Sequence, residues 1–222
     1  MATDPADPAG RRRGAAALRE TALFPLRNVL FPGGLLRLRI FEARYLDLMS
    51  ECLRERRPFG VVALRKGGEA RSAPGDDVAT ELEQVGTLAE LIDVDGVEPG
   101  ILQVRCRGAR RFELHGHAHR ANGLWVGDIS LLPEDDADEA PADGTRGAVQ
   151  ALRDALAALK REGIEPALEP HRYDSAGWVA DRWCELLPFS LATRQRLLEL
   201  RDGAGRLALV TAFLRKEGVV EP

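Results

Sequence analysis

The sequence predicts an α+β protein, with a β-rich N-terminal part followed by a helical C-terminal part. Up to about residue 132, hydrophobic residues alternate with polar ones or form short runs, as in strands. After residue 145 they recur every three or four positions, as on one helix face. An acidic stretch separates the two patterns. We therefore expect a disordered tail at 1–20, a β-rich subdomain at 21–132, an acidic linker at 133–145 and a helical subdomain at 146–222.

The composition is typical of a soluble globular protein, with 45% hydrophobic and 30% charged residues. A formal net charge of −4 argues against a nucleic-acid partner. Cys52, Cys106 and Cys184 form no CxxC pair, so we expect free buried thiols and a reducing compartment. The sequence shows no secretion signal and no run near the roughly 18 apolar residues of a membrane span. These observations predict a cytoplasmic protein without a membrane partner.

The β-rich part begins with Leu23–Leu26, where Pro25 suggests an edge strand because proline cannot donate a ladder hydrogen bond. Residues 31–34 have turn composition, and 35–40 alternate with the apolar side chains on one face. An amphipathic helix over 42–56 follows and ends before Pro58. Gly108 is expected to separate two of the later strands, and 66–77 reads as a loop. The later strands are predicted at 59–64, 85–94, 101–106, around Phe112 and Leu114, and at 124–132.

The C-terminal part is predicted to contain four helices. One apolar stripe runs through Val149, Leu152, Leu156 and Leu159, and a second runs from Trp178 to Leu187 and stops at Pro188. Ser190 and Asp202 suit the N-caps of two further helices. Short connections of this kind join antiparallel neighbours in a small bundle.

Three segments near the start carry a family resemblance. Leu23-Phe24-Pro25-Leu26, then Val29-Leu30-Phe31-Pro32-Gly33, then Leu38-Arg39-Ile40-Phe41-Glu42 with Arg44-Tyr45, resemble the opening of Lon protease N-terminal domains. Ala43 stands where that family often has proline, so the start of the helix is expected to differ slightly. The resemblance covers about residues 21–217. Further similar segments are Phe59–Val62, Val85–Ala89, Val104–Gly108 with Arg111-Phe112, Leu186–Ser190 and Gln195–Leu200.

The resemblance implies a PUA-like pseudo-barrel followed by a helical bundle, and a role in recognising protein or peptide substrates. The implied partners are unfolded or apolar protein segments and a separate protease. The protein would serve that protease as an adaptor in protein quality control. Extended peptides are also candidates to add to the strand edge at 23–26. The candidate peptide groove consists of Phe24, Pro25, Leu26, Phe31, Pro32, Gly33, Phe41, Glu42, Arg44, Tyr45, Arg111 and Phe112. Seven of these also suit purely structural roles, namely Phe31, Pro32, Gly33, Glu42, Arg44, Tyr45 and Phe112.

Catalytic parts of the Lon protease are not apparent in the sequence. No GxxxxGK[ST] phosphate loop occurs. Lys66, Lys160 and Lys216 lie in loop or helix-end contexts, which do not desolvate a lysine as a Ser–Lys dyad requires. We therefore expect a non-catalytic protein without a cofactor.

Two alternatives remain open at this stage. His115, His117 and His119 alternate along a strand and are candidates for a hydrolase or zinc site, although their spacing is long for one tetrahedral ion. We expect solvated histidines and no metal. The arginines near Phe112 would suit a PUA-like RNA binder if they formed a basic face with stacking aromatics. Trp178 and Trp183 are expected in the core, with a binding role as the other reading.

Overall fold

The computed structural model describes residues 17–67, 80–134 and 139–221. Within them the chain forms six strands and five α-helices, which confirms the predicted α+β class. None of the helices in this part of the chain is long and apolar enough to cross a membrane. The elements are β1 (Ala17–Leu26), β2 (Leu35–Ile40), α1 (Ala43–Glu55), β3 (Phe59–Lys66), β4 (Glu81–Glu98), β5 (Ile101–His119), β6 (Trp125–Leu131), α2 (Arg146–Arg161), α3 (Ala176–Leu186), α4 (Leu191–Glu199) and α5 (Gly203–Lys216).

The strands close into a barrel-like ring, as expected. Their order is β2-β5-β4-β3-β1-β6, and a further pairing between β5 and β6 closes β5, β4, β3, β1 and β6 into a ring, with β2 paired to β5 at its side. β5 makes this closure possible because it is 19 residues long. It pairs with β4 over most of its length, and with β2 and then β6 in successive stretches. Of the pairings described, β1 with β3 is parallel and the others are antiparallel.

The predicted break at Gly108 is wrong, because β5 continues through this residue. Gly108 exchanges backbone hydrogen bonds with the β1–β2 loop: its carbonyl accepts from Gly33 N at 2.7 Å, and its N–H donates to the Gly34 carbonyl at 2.9 Å. A Cβ on Gly108 would overlap the Phe31 carbonyl oxygen. The glycine therefore permits close backbone approach and does not end the strand.

Two expectations for the first strand need correction. β1 starts at Ala17 and pairs with β6 from Ala17↔Ser130 onward, so the predicted disorder is wrong for residues 17–20. Residues 1–16 lie outside the described part. Leu23 has partners on both sides, in β3 and β6. Pro25 pairs with β3 alone in the described registers, but it is buried, so this segment is not an open edge for an added peptide.

Helix α1 confirms the predicted amphipathic helix. Its buried residues are Tyr45, Leu48, Met49 and Cys52, which follow the helical period. Tyr45 stacks on Phe24 of β1 with ring centroids 4.0 Å apart. This face closes a hydrophobic core against β1, β2 and β5.

The four C-terminal helices are present as predicted, and two have the expected caps. The Ser190 side chain accepts a hydrogen bond from Thr193 N, and that of Asp202 accepts one from Gly205 N. Their core is not separate from the sheet. It contains Phe31 from the β1–β2 loop and Ala63 of β3 together with residues of α2 to α5. The sheet and the helices therefore share one hydrophobic core.

The predicted loop at 66–77 and the predicted acidic linker at 133–145 are described only in part. Residues 68–77 of the loop and 135–138 of the linker lie outside the described residues. The rest of the linker is docked: the Glu139 carbonyl accepts from Ala176 N at 2.9 Å, and Asp143–Thr145 form a 3₁₀ turn.

Candidate functional site

A cleft of about 630 Å³ lies where the sheet meets the helices. One wall consists of β5 residues 107 and 109–111 and the β1–β2 loop. The start of α3 and residues 162–175, which we call the strap, form the other wall. Cavities of this size commonly hold small ligands or a short stretch of peptide. Its apolar lining comes from Pro32, Ala109, Pro133, Leu168, Pro170 and Trp178.

Gly33 forms the floor of the cleft against α3. Its φ of +71° lies in the left-handed region, and a Cβ there would stand 3.0 Å from Arg182 Nη1 and 3.6 Å from Trp178 Cδ1. Arg182 Nη2 donates to the Pro32 carbonyl at 2.9 Å, and the guanidinium lies 5.6 Å from the Trp178 ring centroid. The turn predicted from sequence thus packs directly on the helix.

Two ion pairs on α3 lie beneath the cleft. Arg182 is 1% exposed and contacts both carboxylate oxygens of Glu185, at 2.8 and 3.1 Å. The Glu185 carboxylate occupies the space that a Cβ on Gly34 would need. Arg206 of α5, also 1% exposed, pairs with Asp181 at 2.9 Å. Buried charges of this kind are tolerated only when paired and hydrogen-bonded.

Arg111 joins the sheet to α4. It is 3% exposed, and its Nη1 donates to the carbonyls of Leu198 and Leu200 at 2.7 and 2.5 Å. These carbonyls lie at the C-terminal end of α4, where backbone acceptors lack partners within the helix. Gln195 of the same helix donates to the Val85 carbonyl at 3.0 Å. The inner side of the cleft is therefore held by buried hydrogen bonds.

The rim of the cleft carries exposed ion pairs of balanced charge. Arg107 contacts Glu90 at 2.6 Å, and Arg110 contacts Glu134 at 3.3 Å. These side chains are 43–68% exposed. Exposed pairs contribute roughly 0–1 kcal/mol each, so they can exchange partners at little cost.

Glu185 has an unusual environment for a carboxylate. Burial raises its pKa from an ordinary 4.5 to about 7, Asp181 acts in the same direction, and Arg182 opposes the shift. The side chain as a whole keeps 21% of its surface exposed. A group with a raised carboxylate pKa makes folding depend on pH near neutrality.

We expect the free energy of unfolding to fall as pH rises from about 5 to 8. In this window the folded protein retains the Glu185 proton that the unfolded chain has lost, since the folded pKa is about 7 and the ordinary value 4.5. Glu185→Gln cannot titrate, so its stability should vary less over the same window. Urea unfolding of both proteins at several pH values measures the difference. If the free energy of unfolding changed with pH in the same way for both proteins, the assigned pKa would be wrong.

Three of the candidate groove residues line the cleft, namely Pro32, Gly33 and Arg111. Phe31 and Phe112 are fully buried, Phe31 in the core shared by sheet and helices and Phe112 inside the strand ring. The two phenylalanines therefore support the cleft walls without being accessible.

The remaining candidates lie around α1. Phe24, Leu26 and Tyr45 belong to the core that α1 closes, and Pro25 is buried in β1 between Phe24 and Leu26. Phe41 is 63% exposed, and Glu42 forms an ion pair with Arg44 at 2.7 Å. The resemblance segments thus fall into two separate regions, and the binding role of these residues stays a prediction.

The sequence prediction missed the strap, and it kept a binding role for Trp178 only as the alternative. Trp178 was expected in the core, but it is only half-buried and lines the cleft, whereas Trp183 is 5% exposed and packs as expected. Their helical spacing could not separate these roles, because both residues follow the apolar stripe of α3. The strap has no periodic pattern that would place it against β5.

The three histidines do not converge. His115 Nε2 lies 2.7 Å from Ser130 Oγ, while His117 and His119 contact Trp125, with ring centroids 5.1 and 3.6 Å away. Among residues 17–67, 80–134 and 139–221, no group of three or more His, Cys, Asp or Glu side chains could hold a metal ion.

The cysteines are free buried thiols, as predicted. Burial raises the pKa of Cys52 to about 11 and those of Cys106 and Cys184 to about 12. Thiols with such values are poor nucleophiles at neutral pH. Lys66 and Lys160 are exposed and contact Glu81 and Glu169 at 2.8 and 2.7 Å. Neither lysine has the desolvated environment of a catalytic amine.

Comparison with known proteins gives relatives over nearly the whole chain. Residues 20–216 match the family described as the ATP-dependent protease La (LON) substrate-binding domain. Lon protease 2 of Myxococcus xanthus is 27% identical over 204 residues, covering 88% of this chain and 23% of that protein. Lon protease of Phenylobacterium zucineum is 27% identical over 214 residues, covering 90% and 25%. The chain spans about a quarter of the length of these relatives.

Solved structures show the same fold. The crystal structure of a Lon N-terminal domain protein from Xanthomonas campestris has a TM-score of 0.68 and 33% identity, covering 88% of this chain and 99% of that one. The N-terminal domain of the Mycobacterium avium complex Lon protease has a TM-score of 0.57 and 16% identity, covering 88% and 97%, and supports the fold alone. The resemblance seen in the sequence is confirmed, and the chain belongs to the LON substrate-binding domain family.

Proposed function

We propose that this protein binds extended, apolar segments of other protein chains in the cleft between its sheet and its helices. The observation that carries the proposal is a Trp178-lined cleft of about 630 Å³ in a member of the LON substrate-binding family. A protease substrate is itself a polypeptide, and unfolded polypeptides expose the apolar side chains that a folded protein buries.

The chemistry of the cleft suits such a ligand. Its lining combines Pro32, Leu168, Pro170 and the half-buried Trp178, which offer apolar contact area. Exposed ion pairs at the rim, such as Arg107–Glu90, surround this lining with groups that stay solvated. An apolar centre within a polar rim is the usual arrangement of a protein-binding surface.

In this proposal the protein recognises its ligand and does not cleave it. It acts in the cytoplasm as an adaptor that presents segments to a separate protease in protein quality control. Support comes from the part of the relatives that the chain matches, which is the substrate-binding domain. The buried thiols and the ion-paired lysines Lys66 and Lys160 give the same indication.

Trp178→Ala is expected to weaken binding of an apolar peptide by about tenfold or more, since central tryptophans often dominate binding energy. The probe is a short, capped, fluorescein-labelled peptide of leucine, phenylalanine and alanine residues with one glutamine at its end. Fluorescence anisotropy of this peptide, titrated with wild-type and variant protein, gives the two dissociation constants.

Trp125→Ala is the matched control, because Trp125 is also half-buried but lies in β6 against His117 and His119. Its effect on the dissociation constant should stay within about twofold. Equal losses in both variants, or no binding by the wild type, would refute the assignment of the cleft. Thermal unfolding followed by circular dichroism verifies that both variants are folded.

A further inference from the structure

Next to the cleft, outside the residues that line it, a carboxylate lies between two arginines. Glu165 of the strap accepts hydrogen bonds through the same oxygen, Oε2, from Arg37 Nη2 at 3.0 Å and from Arg105 Nη2 at 2.6 Å. Arg37 Nη2 also donates to the Glu165 main-chain carbonyl at 2.9 Å. The two arginines are direct cross-strand neighbours in β2 and β5. Two neighbouring guanidinium groups on a sheet offer several hydrogen-bond donors and two positive charges to an anion.

This arginine pair adjoins the cleft. Arg105 and Arg107 are two residues apart on β5 and share its outer face, and Arg107 lines the cleft. Side chains at this spacing on a strand lie about 7 Å apart. On the opposite wall, Leu168 lines the cleft three residues after Glu165. A segment bound along the cleft would therefore bring a side chain within reach of both arginines.

The Glu165 carboxylate is held by contacts that another carboxylate could take over. Arg37, Arg105 and Glu165 have side-chain exposures of 51, 36 and 48%, in contrast to the buried pairs beneath the cleft. Each arginine contacts Glu165 through a single Nη2 atom, and Arg105 Nε has no hydrogen-bond partner in the described part of the chain. A carboxylate that accepts from one donor of each arginine is bound less well than one that accepts two hydrogen bonds from the same guanidinium group.

The strap is anchored elsewhere, so it can release Glu165 without unfolding. Ala167 is 4% exposed and packs in the shared core. Tyr173 contacts the Trp178 ring and lies under Arg153 of α2, whose guanidinium carbon is 4.0 Å from its ring centroid. Displacement of Glu165 alone would leave these contacts in place.

We infer that Arg37 and Arg105 form a carboxylate-binding subsite of the cleft, which the chain's own Glu165 occupies when no ligand is present. The subsite takes an acidic side chain of the bound segment, and Glu165 gives way to it. The inference rests on the proposed function and adds the ligand chemistry next to the cleft. Segments that combine apolar residues with a flanking aspartate or glutamate are then the preferred ligands.

Glu165→Gln tests the subsite, because it removes the internal competitor and leaves both arginines in place. The probes are the capped glutamine peptide described above, the same peptide with glutamate at that position, and the glutamine peptide with a free C-terminal carboxylate. We expect the variant to bind the glutamate peptide about fivefold more tightly than the wild type does, with the glutamine peptide within about twofold. Added salt should reduce this gain.

Glu81→Gln is the matched control. Glu81 is likewise held by two cations, Arg65 at 2.9 Å and Lys66 at 2.8 Å, but it lies at the start of β4, nine residues before Glu90, the β4 residue that lines the cleft. This variant should bind all three peptides as the wild type does. The double variant R37Q/R105Q, with both substitutions at exposed side chains, should lose any preference for glutamate over glutamine.

Each result has a definite meaning. A gain with the glutamate peptide that R37Q/R105Q abolishes supports the subsite, and a gain confined to the free carboxylate assigns it to chain ends instead. If the glutamine peptide binds through Trp178 but glutamate brings no gain in Glu165→Gln, the subsite is wrong and the proposed function stands. If no peptide binds any variant, both are wrong.

Discussion

Arg182→Met is expected to lower the free energy of unfolding by about 3–5 kcal/mol at pH values near 8. Arg182 is 1% exposed and is bonded to both oxygens of Glu185 and to the Pro32 carbonyl. Methionine fills a similar volume but leaves a carboxylate without its counter-charge below the cleft. It also leaves a carbonyl of the β1–β2 loop without its donor.

The pH dependence and a second substitution identify the cause of this loss. Near pH 5.5 the loss should be smaller, since a carboxylate whose pKa is raised to about 7 becomes neutral there. The double variant R182M/E185M should recover part of the stability, because an apolar pair replaces a buried ion pair without leaving a lone charge. Urea unfolding of the wild type, R182M and R182M/E185M at both pH values gives the free energies of unfolding to be compared. If the double variant were no more stable than R182M, lost packing rather than the stranded carboxylate would be the cause.

Gly108→Ala is expected to destabilise the fold by about 2–3 kcal/mol, the upper range for overpacking. A Cβ at this position would overlap the Phe31 carbonyl oxygen, which belongs to the backbone and cannot rotate away. Relief requires the β1–β2 loop to move off β5, which would break the hydrogen bonds from Gly33 N to Gly108 O and from Gly108 N to Gly34 O. The same movement would displace Gly33 from the cleft floor, so we also expect weaker peptide binding.

Gly116→Ala provides the comparison within the same strand. Gly116 also lies in β5, but a Cβ there would meet nothing within 4 Å. We expect a change within about 0.5 kcal/mol, since exposed sites without special contacts tolerate substitution. Thermal and urea unfolding of the two alanine variants measures the contrast. Similar stabilities would show that the loop adjusts to the added methyl group.

Local patterns in the sequence were sufficient to predict most of the secondary structure. The period-two alternation of 35–40 and the helical period of 42–56 each depend on neighbouring residues only, and both predictions are confirmed. The caps at Ser190 and Asp202 depend on contacts three residues away and are likewise confirmed. The prediction of disorder failed for residues 17–20 because their partner strand, β6, lies more than 100 residues along the chain.

The site was harder to predict because it depends on contacts between distant segments. Gly108 reads as a strand break in isolation, and only its contact with the β1–β2 loop explains it. Arg37, Arg105 and Glu165 look like ordinary surface charges until the strap lies across the sheet. Family motifs gave Pro32, Gly33 and Arg111, whereas only the structure shows that Trp178 is half-buried and lines the cleft.

The shared core has a consequence for how binding and folding influence each other. Phe31 and Ala63 pack among the helices, so the cleft exists only when the sheet and the helices are assembled together. A peptide that contacts both walls binds the native chain and not the unfolded one, and mass action then raises the melting temperature with peptide concentration. If the proposed function holds, a bound segment would therefore also protect the protein against local opening and degradation.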